Sequence, residues 1–409
     1  MVIVNHGAPG APYFTPIQDP PSGTAIEPQP NGQAVPKLFQ PLKIRGVKFQ
    51  NRIFVSPMAQ NSAQDGHGTA WHQAHLGSVF TRGPGLTVVE ATSVVPEGRV
   101  SPEDVGIWDD SHIAPLADIV TFAHSQSQKI GIQLAHGGRK ASTTAPWLSF
   151  TAVAEKEPNG WSDNVVGPSR VKYSDTFPDS AVKAFADGVK RAVKAGFDVI
   201  EVHPAHGYLL ANFMSPVSNH RTDEYGGSFE NRTRLTIEVV DAIREVIPQD
   251  MPLFLRISAT EWLEESLPDQ ESWRIEDTLK LAPILSAHSV ELLDVSSGGN
   301  HPKQHISKSR FPNTPYQAPL AKAVKQSGSS EVLVGTVGGI SDGKTANMLL
   351  DDGSADVILV GRHFQKNPGA VWQFAEELGV EIHIASQIQL GFFGRGRRRR
   401  RDYRHPKDQ

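Results

Sequence analysis

Short runs of β-branched and aliphatic residues recur along the chain, separated by longer stretches whose apolar positions fall three and four apart. The runs are 52–56 (RIFVS), 86–91 (LTVVEA), 129–135 (KIGIQLA), 198–203 (DVIEVH), 253–258 (LFLRIS), 291–296 (ELLDVS), 332–335 (VLVG) and 357–361 (VILVG), eight in all. Near-continuous apolar runs with little alternation suit parallel strands covered on both faces. Each is followed by a stretch that can form a helix, as at 179–195, 231–246 and 341–350. Asp179 and Ser341 stand where N-caps belong, and Gly196 where a helix stops. Eight strand–helix units in one chain predict a (β/α)8 TIM barrel of the α/β class, with a doubly wound open sheet as the alternative.

The pattern also sets the domain organisation. Residues 1–36 are dense in Pro and Gly, too poor in apolar groups to fold alone, and read as an extended arm. Residues 37–395 form the barrel domain. Residues 396–409 (GRRRRRDYRHPKDQ) read as a solvated basic tail, with nucleic-acid binding through Arg397–Arg401 as a remote alternative. No apolar run approaches the roughly 18 residues that span a bilayer, and the N-terminus lacks a basic region leading into an apolar stretch. A cytoplasmic enzyme without membrane contact is therefore expected. The net charge of −4 gives no general affinity for nucleic acid. The chain has no cysteine, which excludes thiolate nucleophiles, zinc–thiolate sites and cysteine-bound iron–sulfur clusters.

A barrel places function at the C-terminal ends of its strands. Polar and special residues gather there: Pro57, Met58, Ala59 and Gln60 after the first run; Gln133 in the third and His136 just beyond it; His203, His206 and Tyr208 at the end of the fourth; Arg256 late in the fifth; Ser296–Gly299 after the sixth; Gly335–Gly339 and Gly361-Arg362 at the last two. Glycines at the seventh and eighth exits, with an arginine beside them, suit a phosphate site, since bare backbone amides can approach phosphate oxygens. The plainer reading is tight turns. Arg256 within a strand needs a partner. It pairs either with a barrel carboxylate, Glu90 or Glu201, or with an electron-rich ligand edge such as the N1/O2 side of a flavin, where Gln133 could also bond. His203 and His206 could bind a metal, though no third ligand is evident. They could also be satisfied structural residues, or converge as donors on one substrate oxygen. Tyr208, a phenol, can deliver a proton at neutral pH, or simply pack.

The string from Glu201 through His203, His206 and Tyr208 to Ser215-Pro216 and Asp223–Ser228 resembles the Old Yellow Enzyme family. Asn51-Arg52-Ile53, Ser56-Pro57-Met58, Gly131–Lys140 and Val360–Arg362 agree with it. The detail is closest to the thermophilic-like (class III) ene-reductases and their fungal relatives. The resemblance spans about residues 37–395 and implies a TIM barrel holding FMN. Ser56, Pro57, Met58, Ala59, Ala91, Gln133 and Arg256 would hold the flavin, with Gly339, Gly361 and Arg362 near its phosphate. It further implies NADPH as transient hydride donor, His203 and His206 on the substrate carbonyl or nitro oxygen, and Tyr208 as proton donor. It also implies a homodimer or higher homo-oligomer in which Arg395 reaches the neighbouring site. Two positions depart from the family: Ala59 replaces a usual cysteine and Asn61 a usual substrate-contacting tyrosine. They predict an altered flavin potential and a roomier site. The expected activity is reduction of the C=C bond of α,β-unsaturated carbonyl or nitro compounds. Alternatives are a pathway-specific flavin desaturase or isomerase on the same site and, remotely, a glycosidase using Glu90 and Glu201.

Overall fold

The computed structural model describes residues 4–149, 152–156, 159–169, 177–305, 314–328 and 331–394. Among them, eight parallel strands close into one barrel. They are β1 (Ile53–Val55), β2 (Leu86–Ser93), β3 (Ile130–Ala135), β4 (Val199–Val202), β5 (Leu253–Ser258), β6 (Leu292–Ser296), β7 (Leu333–Val337) and β8 (Val357–Val360). Each pairs with the next, and β8 returns to β1 with Leu359 opposite Phe54. The principal helices follow their strands in order: α1 (Ala70–Phe80), α2 (Ile113–Ser125), α3 (Phe177–Ala195), α4 (Phe229–Arg244), α5 (Ile275–Ala287), α6 (Ala318–Gln326), α7 (Gly343–Asp351) and α8 (Ala370–Leu378). This is the (β/α)8 barrel, and the open sheet is excluded by closure.

Two helix starts differ from the sequence expectation. Helix α7 is capped by Asp342, whose carboxylate accepts the Thr345 amide at 2.7 Å, so Ser341 lies one residue outside. Helix α3 begins at Phe177, and Asp179 falls within its first turn. Pro178 permits the earlier start, because first-turn amides have no intrahelical acceptor to lose. Gly196 does end α3, with φ +95°.

The floor of the barrel is apolar. Phe54, Val88, Val199, Phe254, Leu292 and Leu359 fill it, and an antiparallel hairpin (Leu42–Ile44 with Val47–Phe49) closes it from below. Phe49 tilts onto Phe54 with ring centroids 4.9 Å apart, and Phe54 stacks on Phe254 at 6.3 Å. A second apolar layer lies between strands and helices, as the pattern of the runs requires. The N-terminal arm lies along the C-terminal segment. The amides of Gly23 and Ile26 donate to the carbonyls of His383 and Glu381, each at 2.9 Å, and His383 returns its amide to Thr24 at 2.8 Å. No helix among the described residues is long and apolar enough to cross a membrane.

Candidate active site

Above the apolar floor, the strand ends carry a polar layer. In the parallel register Gln133 lies opposite Glu201, and Arg256 opposite Asp294. Gln133 Nε2 donates to Glu201 Oε1 at 2.7 Å. Arg256 bonds Asp294 and donates through Nη2 to Ser56 Oγ at 2.5 Å. The sequence pointed to Glu90 or Glu201 as the carboxylate for Arg256, whereas its bonded partner is Asp294. The cause is register, since inward side chains at equal depth on adjacent strands meet directly. Burial pushes the Glu201 carboxyl up to about 8, with Asp294 adding to the rise against Arg256. Arg256 Nη1 has no partner among the described residues, and neither do the buried atoms Glu201 Oε2 and Asp294 Oδ1. Buried polar groups left open at one end of a barrel are groups a ligand can complete.

The β4 exit supplies a cluster of rings. His203 and His206 have ring centroids 5.1 Å apart, and His203 and Tyr208 are also 5.1 Å apart. His203 is buried and its Nδ1 lacks a partner among the described residues, whereas His206 Nε2 lies 2.7 Å from Ser296 Oγ. Burial drives both imidazoles down, His206 to about 3, helped by the cations Arg256 and Lys140; His206 also depresses His203. Both rings are therefore neutral at pH 7, and each carries a single N–H. Burial, with Asp104 nearby, pushes the Tyr208 phenol up to about 12, which keeps it protonated. Among the described residues, no group of three His, Asp or Glu side chains is placed to hold a metal ion.

The loop after β1 brings Ser56 and Pro57 into buried positions and leaves Met58 half-buried and Ala59 exposed. Ala91 lies within an irregularity of the β2–β3 pairing, where Val89 meets Ile132 but Thr92 meets Leu134. That bulge turns the backbone at Glu90-Ala91. Glu90 Oε2 accepts the Gln60 amide at 3.0 Å, and His72 stands 3.5 Å from the other oxygen. Glu90 and Glu201, the pair that a glycosidase would need, are only 4% and 0% exposed. Asn61 does not reach toward the cluster as a free donor. It is buried in the left-handed region (φ +46°), and its amide donates to Ser101 Oγ and Asp104 Oδ1, both at 2.9 Å.

At the β7 exit Gly338 and Gly339 have φ +97° and +73°, and a Cβ on Gly339 would sit 1.8 Å from the Thr314 carbonyl oxygen. These glycines are thus required by the turn itself. Gly361 at the β8 exit packs on Met58, where an added Cβ would come within 2.8 Å of the sulfur. Arg362 beside it is exposed and forms no ion pair among the described residues. Arg395 and Arg397–Arg401 lie outside the described residues.

Several residues of this site escaped the reading of the sequence. Asp294 announced itself only as an acid inside an apolar run. Ser258 Oγ accepts the His206 amide at 2.9 Å, and Lys140 Nζ donates to the His206 carbonyl at 2.7 Å. Such backbone captures leave no local signature. The donor set nevertheless fits a flavin mononucleotide. The amide Gln133 and the guanidinium Arg256, with Nη1 still open, suit a pyrimidine edge, and the unpaired Arg362 suits a phosphate.

Similarity to known proteins bears on the same site. Residues 37–381 match the NADH:flavin oxidoreductase / NADH oxidase family. An NADH:flavin oxidoreductase of Gibberella zeae is 53% identical over 411 residues, covering 97% of each chain. An NADPH dehydrogenase of Bacillus subtilis is 39% identical over 358 residues, 87% of this chain and 99% of its own. Among solved structures, morphinone reductase superposes with a TM-score of 0.67 at 25% identity, over 86% of this chain and 91% of its own. With barrel, polar layer and donor set in agreement, the chain belongs to the NADH:flavin oxidoreductase / NADH oxidase family, the Old Yellow Enzyme group, and is an FMN-dependent oxidoreductase served by a nicotinamide hydride donor.

Proposed function

We propose that this enzyme reduces the C=C bond of α,β-unsaturated carbonyl or nitro compounds at the expense of NADPH, with Tyr208 as the proton donor. The observation that carries the reading is the clustering of two neutral imidazoles and a protonated phenol directly above the Gln133–Arg256 layer. FMN, when bound, supplies hydride to the β-carbon of the acceptor. The remaining work falls to the chain.

Gln133, Arg256 and Ser56 would orient the flavin from below, and Arg362 would meet its phosphate. His203 and His206, uncharged, each offer one N–H to the substrate oxygen. Negative charge grows on that oxygen as the β-carbon is reduced, so the two donors bind the enolate more strongly than the ground state. Tyr208 Oη then transfers its proton to the α-carbon. A phenol held near 12 is a strong enough acid for a carbanionic carbon and too weak to ionise beforehand. With an amide rather than an aromatic ring at position 61, bonded back to Ser101 and Asp104, the mouth favours acceptors broader than the smallest enones. A homodimer completed by Arg395 belongs to the same proposal.

Turnover of 2-cyclohexenone with NADPH in D2O tests the chemistry. The expected product is cyclohexanone carrying one solvent deuterium at the α-carbon and a non-exchanged hydrogen at the β-carbon. Consumption of NADPH with the enone returned intact would defeat the proposal.

A further inference from the structure

His206 is strained. Its φ of +58° places a non-glycine residue in the left-handed region, a conformation that persists only where its surroundings over-determine it. Two side chains do so. Ser258 Oγ takes its amide and Lys140 Nζ its carbonyl, at 2.9 and 2.7 Å. The next residue, Gly207, lies so close to the β6 exit that a Cβ there would come within 2.5 Å of the Gly299 carbonyl oxygen. A Cβ on Gly299 would fall 2.5 Å from His206 Cα. Lys140 bonds the Gly299 carbonyl as well, so one ammonium ties the β3, β4 and β6 exits at the point where their backbones touch. The same ammonium stands 5.8 Å from the centroid of the Tyr208 ring. Among the described residues it forms no ion pair with a carboxylate.

We infer that Lys140 is a positioning residue of this site, holding His206 in its strained conformation and serving as counter-charge to Tyr208 once the phenol has given up its proton. The second role rests on the proposed reaction. In that step the Tyr208 O–H bond breaks and a C–H bond forms at the substrate α-carbon. The tyrosine is left as a phenolate until solvent returns a proton. A phenolate in a buried mouth needs a cation, and the Lys140 ammonium, held by two carbonyl oxygens that do not neutralise it, lies over the Tyr208 ring 5.8 Å from its centroid.

The groups around Lys140 are Arg139 on its own segment, His203 and His206 on the β4 exit, and the ring of Tyr208, on which Asp104 also acts. Burial first, and Arg139 second, bring the Lys140 ammonium down to about 8. The protonated form is the competent one, so its contribution is complete at neutral pH and is lost as pH rises through 8. Arginine at this position would stay charged throughout.

Lys140→Met and Lys140→Arg test the inference. Crystals of the holoenzyme carrying Lys140→Met should show His206 relaxed out of the left-handed region, a readout that involves no substrate. Re-oxidation of its reduced flavin by cyclohexenone should slow roughly tenfold to a hundredfold, with the flavin content unchanged. Lys140→Arg should keep most of the rate and move the alkaline fall from near pH 8 to above pH 9. If His206 relaxes in crystals but even the wild-type flavin is not re-oxidised by the enone, the positioning role stands and the reading of the reaction fails. His206 still left-handed in Lys140→Met, with a wild-type rate of re-oxidation, would overturn the inference. So would an alkaline limb that Lys140→Arg leaves in place.

Discussion

The two ends of the barrel are built from the same strands and obey different rules. At the floor, Phe54, Phe254, Leu292 and Leu359 pack with the closing hairpin, and the residues there are apolar and almost wholly buried. At the mouth, two residues further along β1, β2, β4, β5 and β6, the layer is Ser56, Glu90, Glu201, Arg256 and Asp294, joined by Gln133 of β3. It is just as inaccessible to water, yet it leaves Glu201 Oε2 and Asp294 Oδ1, and His203 Nδ1 in the cluster above it, without partners among the described residues. Burying such groups costs stability that the floor must supply. The contrast teaches that burial alone does not distinguish scaffold from site here. What sets the mouth apart is the gathering of ionisable side chains with open atoms at one end.

Four substitutions break or sharpen that contrast. The largest effect is expected at the mouth. Tyr208→Phe should slow re-oxidation by enone by about 10²–10⁴-fold, read in anaerobic stopped flow, while leaving thermal stability nearly unchanged. Next, Phe254→Ala should lower stability by about 3–5 kcal/mol in denaturant titration, with turnover per bound flavin retained in the folded fraction. A floor mutation that abolished chemistry in folded protein would erase the distinction between the two ends.

A smaller effect follows from the raised Glu201 carboxyl. An unfolded glutamate ionises near 4.3, whereas this one holds its proton up to about 8. Between those values the folded state binds more protons, so stability falls as pH rises through the window. Glu201→Gln, a near-isostere of the protonated acid, should flatten that slope and change stability near pH 5 by roughly 1 kcal/mol or less. A slope identical to that of the wild type would show that Glu201 is ionised. The smallest change in chemistry is expected for Asn61→Tyr, which gives up the bonds to Ser101 and Asp104. It should improve KM for cyclohexenone a few-fold and weaken turnover of broader enones, measured as a ratio of kcat/KM values.

How much of this was legible in the chain follows from the range of each interaction. The barrel could be read because strand propensity and the alternation of strand with helix are local properties, repeated eight times. Gln133, His203, His206, Tyr208 and Arg256 could be singled out because each is polar at the end of an apolar run. The partner of Arg256 could not, because Asp294 is 38 residues away and meets it through register. Nor could the fate of Asn61, whose bonds to Ser101 and Asp104 depend on a loop that folds back over 40 residues or more. Family resemblance identified the residue as a departure but not where its amide would go. The arm at 23–29 pairs with residues 381–383, a contact between the two ends of the chain that no local pattern encodes.

The central claim is that the cluster above the polar layer is a site for reducing activated alkenes. Anaerobic mixing of the purified yellow protein with NADPH, and then with 2-cyclohexenone, tests it most directly. The account predicts that NADPH bleaches the flavin and that the enone restores its colour, with one cyclohexanone formed per flavin. A flavin that bleaches but recovers its colour only when oxygen is admitted, with no cyclohexanone formed, would contradict it.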